Sequence, residues 1–318
     1  MKTPVDQQTP QALVGIDVGG TKCAAGLVRL PEGSVLARRL QPTHPERGGR
    51  ALLADVVELA RSLIAQALEC GVEPSAVGVA VAELVDAAGH VLSGATIDWQ
   101  GVNVQAEIGA SIGLPVRIEA DVRAAASAEA RFGAGRDYRT FLYVTVGTGI
   151  SACLVLDGVP YVGARGLTGT FASGRGLFPL DGDRLGSGPP LEQFAAGPSL
   201  AARLAAVQPQ FTGTAREVLA LAESGDCSAT AVVSSAGQAL GAAVGQLVNM
   251  LDPQAVVLGG GLGSTQGAFR QAVELAMREG IWSDLHRDLP LASAHLGDDS
   301  ALVGAALSAA NLSEGLSR

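Results

Sequence analysis

Apolar and polar positions fall into short blocks, and the first two blocks set a pattern for the rest of the chain. Residues 13–18 and 23–28 are apolar runs separated by Gly19, Gly20, Thr21 and Lys22, with Asp17 as a lone carboxylate near the end of the first. That pattern predicts two strands joined by a tight glycine turn. Residues 29–38 continue it as a meander, with Pro31, Glu32 and Gly33 at the turn. The period then changes. Over 51–68, Leu52, Val56, Ala60, Leu63 and Ala67 recur at helical spacing, which predicts a helix with one apolar face. Residues 77–81 read as a short buried strand, and a strand pair is predicted around 87–90. The spacing then gives a helix over 102–111, a strand over 115–119 and a helix over 122–132, with Asp121 at its N-terminal edge.

The opening pattern recurs. Residues 141–156 are again an apolar run, a glycine turn (Gly147, Thr148, Gly149) and an apolar run. Laying Asp17 on Thr145 puts Gly19 on Gly147 and Leu27 on Val155. An internal repeat of this kind predicts two similar subdomains, each offering a glycine hairpin to one polyphosphate. Residues 166–190 are rich in glycine and proline, with Asp181, Asp183 and Arg184 at the centre, and read as a loop or lid. Helices are predicted over 191–207 (interrupted at Gly197-Pro198), 214–223 and 229–250, the last ended by Asp252-Pro253. A strand over 255–258 runs into Gly259, Gly260 and Gly261 and then a helix over 266–278. This places backbone N–H groups at a helix N-terminus suited to nucleotide contact, although glycine-rich strand exits are also common in general. Residues 1–11 read as a disordered tail.

Glycine turns expose N–H groups that form a concavity for an anion. Thr21 adds a hydroxyl there. Lys22 reads equally as a charge on the anion or as a solvent-facing strand start. Asp17 suits such a site only if a divalent metal stands between it and the phosphates; the plainer alternative is that Gly19 and Gly20 merely satisfy hairpin geometry. At 318 residues the chain has room for two domains. A net charge of −9 and a pI near 5.0 argue against a nucleic-acid or membrane partner. Cys23, Cys70, Cys153 and Cys227 show no metal-knot spacing, so neither zinc nor a disulfide framework is expected. No apolar run reaches the ~18 residues of a membrane span, and the first ten residues lack a signal peptide's apolar core. A cytoplasmic protein is expected. His44, His90, His286 and His295 have no ligand or catalytic spacing and read as structural.

Asp17 with Gly19, Gly20, Thr21 and Lys22, then Gly147-Thr148-Gly149, then Gly259-Gly260-Gly261 occur in the order of the actin-like, hexokinase-type ATPase fold. More narrowly, the chain resembles the ROK (repressor–ORF–kinase) family of bacterial sugar kinases and sugar-responsive repressors. The segments 119–129, 191–197 and 296–306 carry that likeness, which extends from Leu13 to Leu307. It implies a two-lobed, ribonuclease-H-like α/β fold with an interlobe cleft: an N-terminal lobe over 12–120, a C-terminal lobe over 121–299, and a helix over 300–312 returning to the first. It implies ATP and Mg²⁺, with Asp17 on the metal and the three glycine segments, Thr21, Lys22 and Thr148 around the nucleotide. Asp121 is the implied general base, although an Asp at this place is also a good helix N-cap. Glu192 resembles a sugar-contacting glutamate, although at a helix start it equally suits the helix dipole. Relatives are commonly dimers, so a homodimer is expected. Repressor members carry a DNA-binding domain before the first phosphate loop; with 12 residues ahead of Leu13, a repressor is not expected.

Departures from the family pattern gather in the acceptor half. Ala120 stands where the family has Asn, and Thr170 and Ser173 replace the Glu and His that grip the sugar. The zinc-binding cysteine cluster is replaced by the glycine- and proline-rich segment, and a usual Pro-Gly pair is Ala82-Glu83. Glu83 is a candidate contact to a hydroxyl, or simply a solvated loop charge. Trp99 borders the acceptor pocket or packs in the core. Two functions follow: an ATP-dependent phosphotransferase acting on a sugar or sugar-like polyol such as a cyclitol, contacted by Asp121, Thr170, Ser173, Glu192 and Glu83, or a catalytically silent, nucleotide- or sugar-binding regulator.

Overall fold

A computed structural model describes residues 11–179 and 185–314. Residues 1–10 and the group Asp181, Asp183 and Arg184 lie outside the described residues. Gln11, expected in the tail, opens the first strand. The chain divides into two units, each an α/β sheet with helices.

The first unit runs to Gly133 and takes in Val162–Leu167 and the chain from Asp299 onward. Strands β1 (Gln11–Val18), β2 (Lys22–Leu30) and β3 (Ser34–Pro42) form the expected meander. Helix α1 (Gly49–Glu69) leads to β4 (Pro74–Val81), and α2 (Val104–Ile112) to β5 (Val116–Ala120), both strands parallel to β1. Helix α3 (Asp121–Phe132) follows directly. The sheet order is β3-β2-β1-β4-β5. The predicted strand pair around 87–90 reduces to one bridge, Val85 to Val91, because Asp86 bends the chain by accepting the Ala88 and His90 N–H groups.

Alternation along β1 and β4 sorts side chains to two covered faces. Val14, Ile16, Val18, Val77, Val79 and Val81 pack into the core with α1 and α2. The opposite face is floored by Gly15, Gly78 and Ala80, and the last helix, α11 (Ser300–Glu314), lies across it. A Cβ at Gly78 or at Gly15 would run into the α11 backbone at Ala305 or Leu302, and one at Gly304 into the α3 backbone at Ala124. These glycines are there for space. Contact between α3 and α11 is why the first unit extends to Gly133 instead of ending at 120.

The second unit, Ala134–Tyr161 and Thr168–Asp298, repeats the plan. Strands β6 (Thr140–Val146), β7 (Ile150–Leu156) and β8 (Val159–Pro160) make the antiparallel part. The segment expected as a loop or lid instead contains paired strands β9 (Arg175–Pro179) and β10 (Leu185–Pro190), whose backbone pairing glycine and proline do not prevent at a two-stranded edge. Helices α4 (Glu192–Ala195) and α5 (Gly197–Val207) are split at Ala196, with Pro198 in the first turn of α5. Then come α6 (Ala215–Glu223), held by a Thr214–Glu217 capping box, and α7 (Cys227–Leu251), capped by Asp226. Strand β11 (Ala255–Gly259) enters the short α8 (Gly260–Gly263), so one extra turn separates the glycines from α9 (Ala268–Gly280). Helix α10 (Asp284–Arg287) and β12 (Leu291–Ser293) complete the order β12-β11-β6-β7-β8, with β11 parallel to β6 and β12. Helix α7 alone among the described helices is long and apolar enough to cross a membrane; half of its apolar window is buried, and Gly237, Gly241 and Gly245 press it onto α9 as a core helix.

Candidate active site

In each unit the glycine turns, and in the first also Asp17, Glu83 and Asp121, lie at the carboxyl ends of parallel strands, where open α/β sheets bind ligands. In the first unit Asp17 pairs in register with Ala80, and Val81 with Ala120, so Asp17, Glu83 and Asp121 sit at three neighbouring strand exits. The Gly19–Lys22 turn is closed by the Gly19 N–H on the Lys22 carbonyl at 3.1 Å. Thr43, fully buried, clamps it from outside: its hydroxyl donates to the Gly19 carbonyl at 2.7 Å and its N–H to the Thr21 carbonyl at 3.1 Å. Lys22 is exposed at the first position of β2.

Asp121 is the first residue of α3, half-buried, and its Oδ1 accepts the Val122 N–H at 2.6 Å. The N-cap is Ala120, so Asp121 does not play the capping role that its position suggested. Burial pushes its carboxyl up to about 6; the Val122 N–H opposes that, the charge of Glu83 adds to the rise, and Arg123 offsets part of it. Arg123 is itself buried, pairing with Glu119 at 2.5 Å and donating to the carbonyls of Val85 (2.6 Å) and Gly166 (3.2 Å).

Glu83 is neither solvated nor open to a substrate hydroxyl. Only 6% exposed, it accepts from the Ser93 hydroxyl and from the N–H groups of Ala95 (3.0 Å), Thr96 (2.7 Å) and Ile97 (2.8 Å). Both oxygens are taken, which corrects its placement among substrate contacts. Trp99 is 5% exposed and belongs to the core.

In the second unit the Gly147-Thr148-Gly149 turn and Gly259–Gly261 leave β6 and β11, parallel neighbours paired at Gly259 and Thr145. A Cβ on Gly147 would lie 3.8 Å from the Gly261 nitrogen, and one on Gly261 would meet nothing within 4 Å. The result is a bare backbone surface that fits the close approach of phosphates. Glu192 braces it: Oε2 accepts the Ile150 N–H at 2.9 Å and would lie 2.6 Å from a Cβ on Gly149. Thr170 and Ser173 are exposed on a turn tied to Glu192 by its N–H on the Ala172 carbonyl at 3.1 Å.

Nucleotide and magnesium fit these residues. Magnesium is held by one or two carboxylates with phosphates supplying further oxygens, and Asp17 offers one carboxylate beside a glycine turn. No group of three or more His, Cys, Asp or Glu side chains is arranged to hold a metal among the described residues.

The profile of the ROK family matches residues 13–311. This chain belongs to the ROK family. It is 31% identical over 320 residues to a glucokinase of Streptomyces coelicolor, covering 92% of this chain and 96% of that one. It is 30% identical over 310 residues to the bifunctional enzyme NanE/NanK of Brucella melitensis and spans about half of that relative's length (53%). Among solved structures, the ROK glucokinase of Streptomyces griseus in complex with glucose and AMPPNP superposes with a TM-score of 0.78 at 27% identity, covering 93% of this chain and 98% of that one. The fold is the two-lobed actin-like ATPase fold of ROK sugar kinases. Against the ROK pattern, sequence reasoning missed Thr43, Ser93, Thr96 and Arg123. Thr43, Ser93 and Thr96 stand in stretches with no periodic signal; Arg123 shows a usable one, since it is the lone charge within residues 122–126 and stands four residues after Glu119.

Proposed function

We propose that this ROK protein is an ATP-dependent kinase that phosphorylates a hydroxyl of a sugar or sugar-like polyol. The observation that carries the reading is one sheet edge of the first unit, where a half-buried Asp121 carboxyl and Asp17 with its glycine turn stand at the ends of strands separated only by β4. Asp121 accepts the proton of the acceptor hydroxyl as the new O–P bond forms and the bond from the γ-phosphorus to the bridging oxygen breaks, releasing ADP. Asp17 would hold Mg²⁺, which would supply charge neutralisation, and the glycine turns would orient the phosphates.

The acceptor we propose is not an ordinary hexose. The solved Streptomyces griseus relative holds glucose, whereas here Ala120, Thr170 and Ser173 stand where three polar partners for ring hydroxyls are expected, and the Glu192 carboxylate already receives the Ile150 N–H. Losing such a partner changes discrimination by up to ~10⁴-fold. A cyclitol or modified sugar suits shorter, neutral side chains. A coupled ADP assay over hexoses, amino sugars and cyclitols tests this, and efficient turnover of plain glucose overturns it. The same four residues support the second reading, a silent regulator; calorimetric ATP binding with no turnover of any acceptor would favour it.

A further inference from the structure

Glu83 is a buried carboxylate with no place in the phosphoryl-transfer chemistry just described. It projects two residues beyond Val81, the last residue of β4, while Asp121 stands one residue beyond Ala120, the register partner of Val81. The two acids therefore leave adjacent parallel strands on the same sheet edge. From there Glu83 gathers donors from ten to fourteen residues downstream: the Ser93 hydroxyl and the consecutive N–H groups of Ala95, Thr96 and Ile97. Three successive N–H groups converging on one carboxylate fix that backbone as a strap. The strap's far side reaches the first glycine turn, since a Cβ on Gly20 would lie 2.7 Å from Thr96 Cγ2.

We propose that Glu83 is a positioning residue of this site: it locks the 93–97 strap behind the Gly19–Gly20 turn and sets a negative charge beside Asp121. The inference rests on the kinase reading only in calling Asp121 the base. The other charge acting on Asp121 is Arg123 on α3, which is engaged by Glu119 of β5. Helix α11, packed on both α3 and β4, has no ionisable side chain before Glu314, and β4 has none. Burial is the largest cause opposing ionisation of Asp121, and the Glu83 charge, from the adjacent strand exit, adds to it in the same direction. That keeps the base near the pH at which it must both take and release a proton.

The experiment reads the Asp121 carboxyl directly, by carbon NMR titration of the full chain, with Asp121→Asn to assign the resonance. In wild type it should titrate near 6. Glu83→Gln should lower that midpoint by about 0.5 pH unit and weaken MgATP binding by calorimetry by roughly 10-fold as the strap loosens. Glu83→Asp, which keeps the charge on a shorter stem, should restore the titration but not the nucleotide affinity. An unchanged midpoint and unchanged affinity in folded Glu83→Gln overturn the proposal. If that variant does not fold, two measurements decide: wild-type Asp121 titrating near 4 removes the charge, and Thr96→Ser binding MgATP as tightly as wild type removes the strap. Failure to turn over any acceptor would sink the kinase reading and leave the titration result standing.

Discussion

Asp121 ties chemistry to stability through one number. Its carboxyl sits near 6 in the fold, above the roughly 3.9 of an unfolded chain. For an acid raised by folding, the native state holds the proton more tightly, so ionisation above pH 6 costs stability and the cost disappears as pH falls from about 6 towards 4. For a half-buried group this is roughly 1–3 kcal/mol. Asp121→Asn, which keeps an oxygen for the Val122 N–H, should therefore melt higher than wild type at pH 8, with the gap roughly halved at pH 5 and closing below about pH 4, while turnover drops by roughly 10²-fold or more. A lower melting temperature at pH 8 with turnover intact would make Asp121 structural. Wild-type kcat should fall below about pH 6 as the base protonates. Thr43 gives a second residue-scale expectation. Thr43→Val keeps the volume and leaves the Gly19 carbonyl without its donor, a loss of about 1 kcal/mol that should appear as weaker MgATP binding in calorimetry; unchanged affinity would detach the clamp from the turn's function.

Helices with a clean apolar stripe were legible at the scale of elements. The α1 face over Leu52, Val56, Ala60 and Leu63 is buried as its spacing predicts, because one side of that helix has a single sheet to cover. What the sequence hid were contacts made at long range. Glu83 reads as a loop charge until residues 93–97, which have no periodicity, bring it their N–H groups. Helix α3 reads as the start of a second lobe until α11, some 180 residues later, packs against it. That packing is demanding. A methyl group at Gly78 would occupy the space of the Ala305 carbonyl, a backbone atom that cannot move without the helix. Gly78→Ala should cost roughly 2–4 kcal/mol, measured as a lower denaturant midpoint. Gly174→Ala, where nothing lies within 4 Å, should change it by no more than about 0.5 kcal/mol.

The most readable feature of the whole molecule was its repetition. Strand orders β3-β2-β1-β4-β5 and β12-β11-β6-β7-β8 are the same plan, and the alignment of Asp17 with Thr145 is its trace in the residues. On the proposed kinase reading, MgATP should stabilise the protein by mass action. At 100 times its Kd the gain is about 2.7 kcal/mol, seen as a melting temperature higher by a few degrees and suppressed in Asp17→Ala. No shift at millimolar MgATP would remove the nucleotide from the reading. The return of α11 also sets a timetable for synthesis. Residues emerge from a ribosome at about 5–20 per second, so the stretch from Ala134 to Asp298 occupies on the order of 10–30 s. Throughout that interval the sheet floor at Gly15 and Gly78 has no helix to lie beneath. The sheet that is translated first is thus covered only after the second unit has been made, and until α11 emerges a nascent chain exposes the face floored by Gly15 and Gly78.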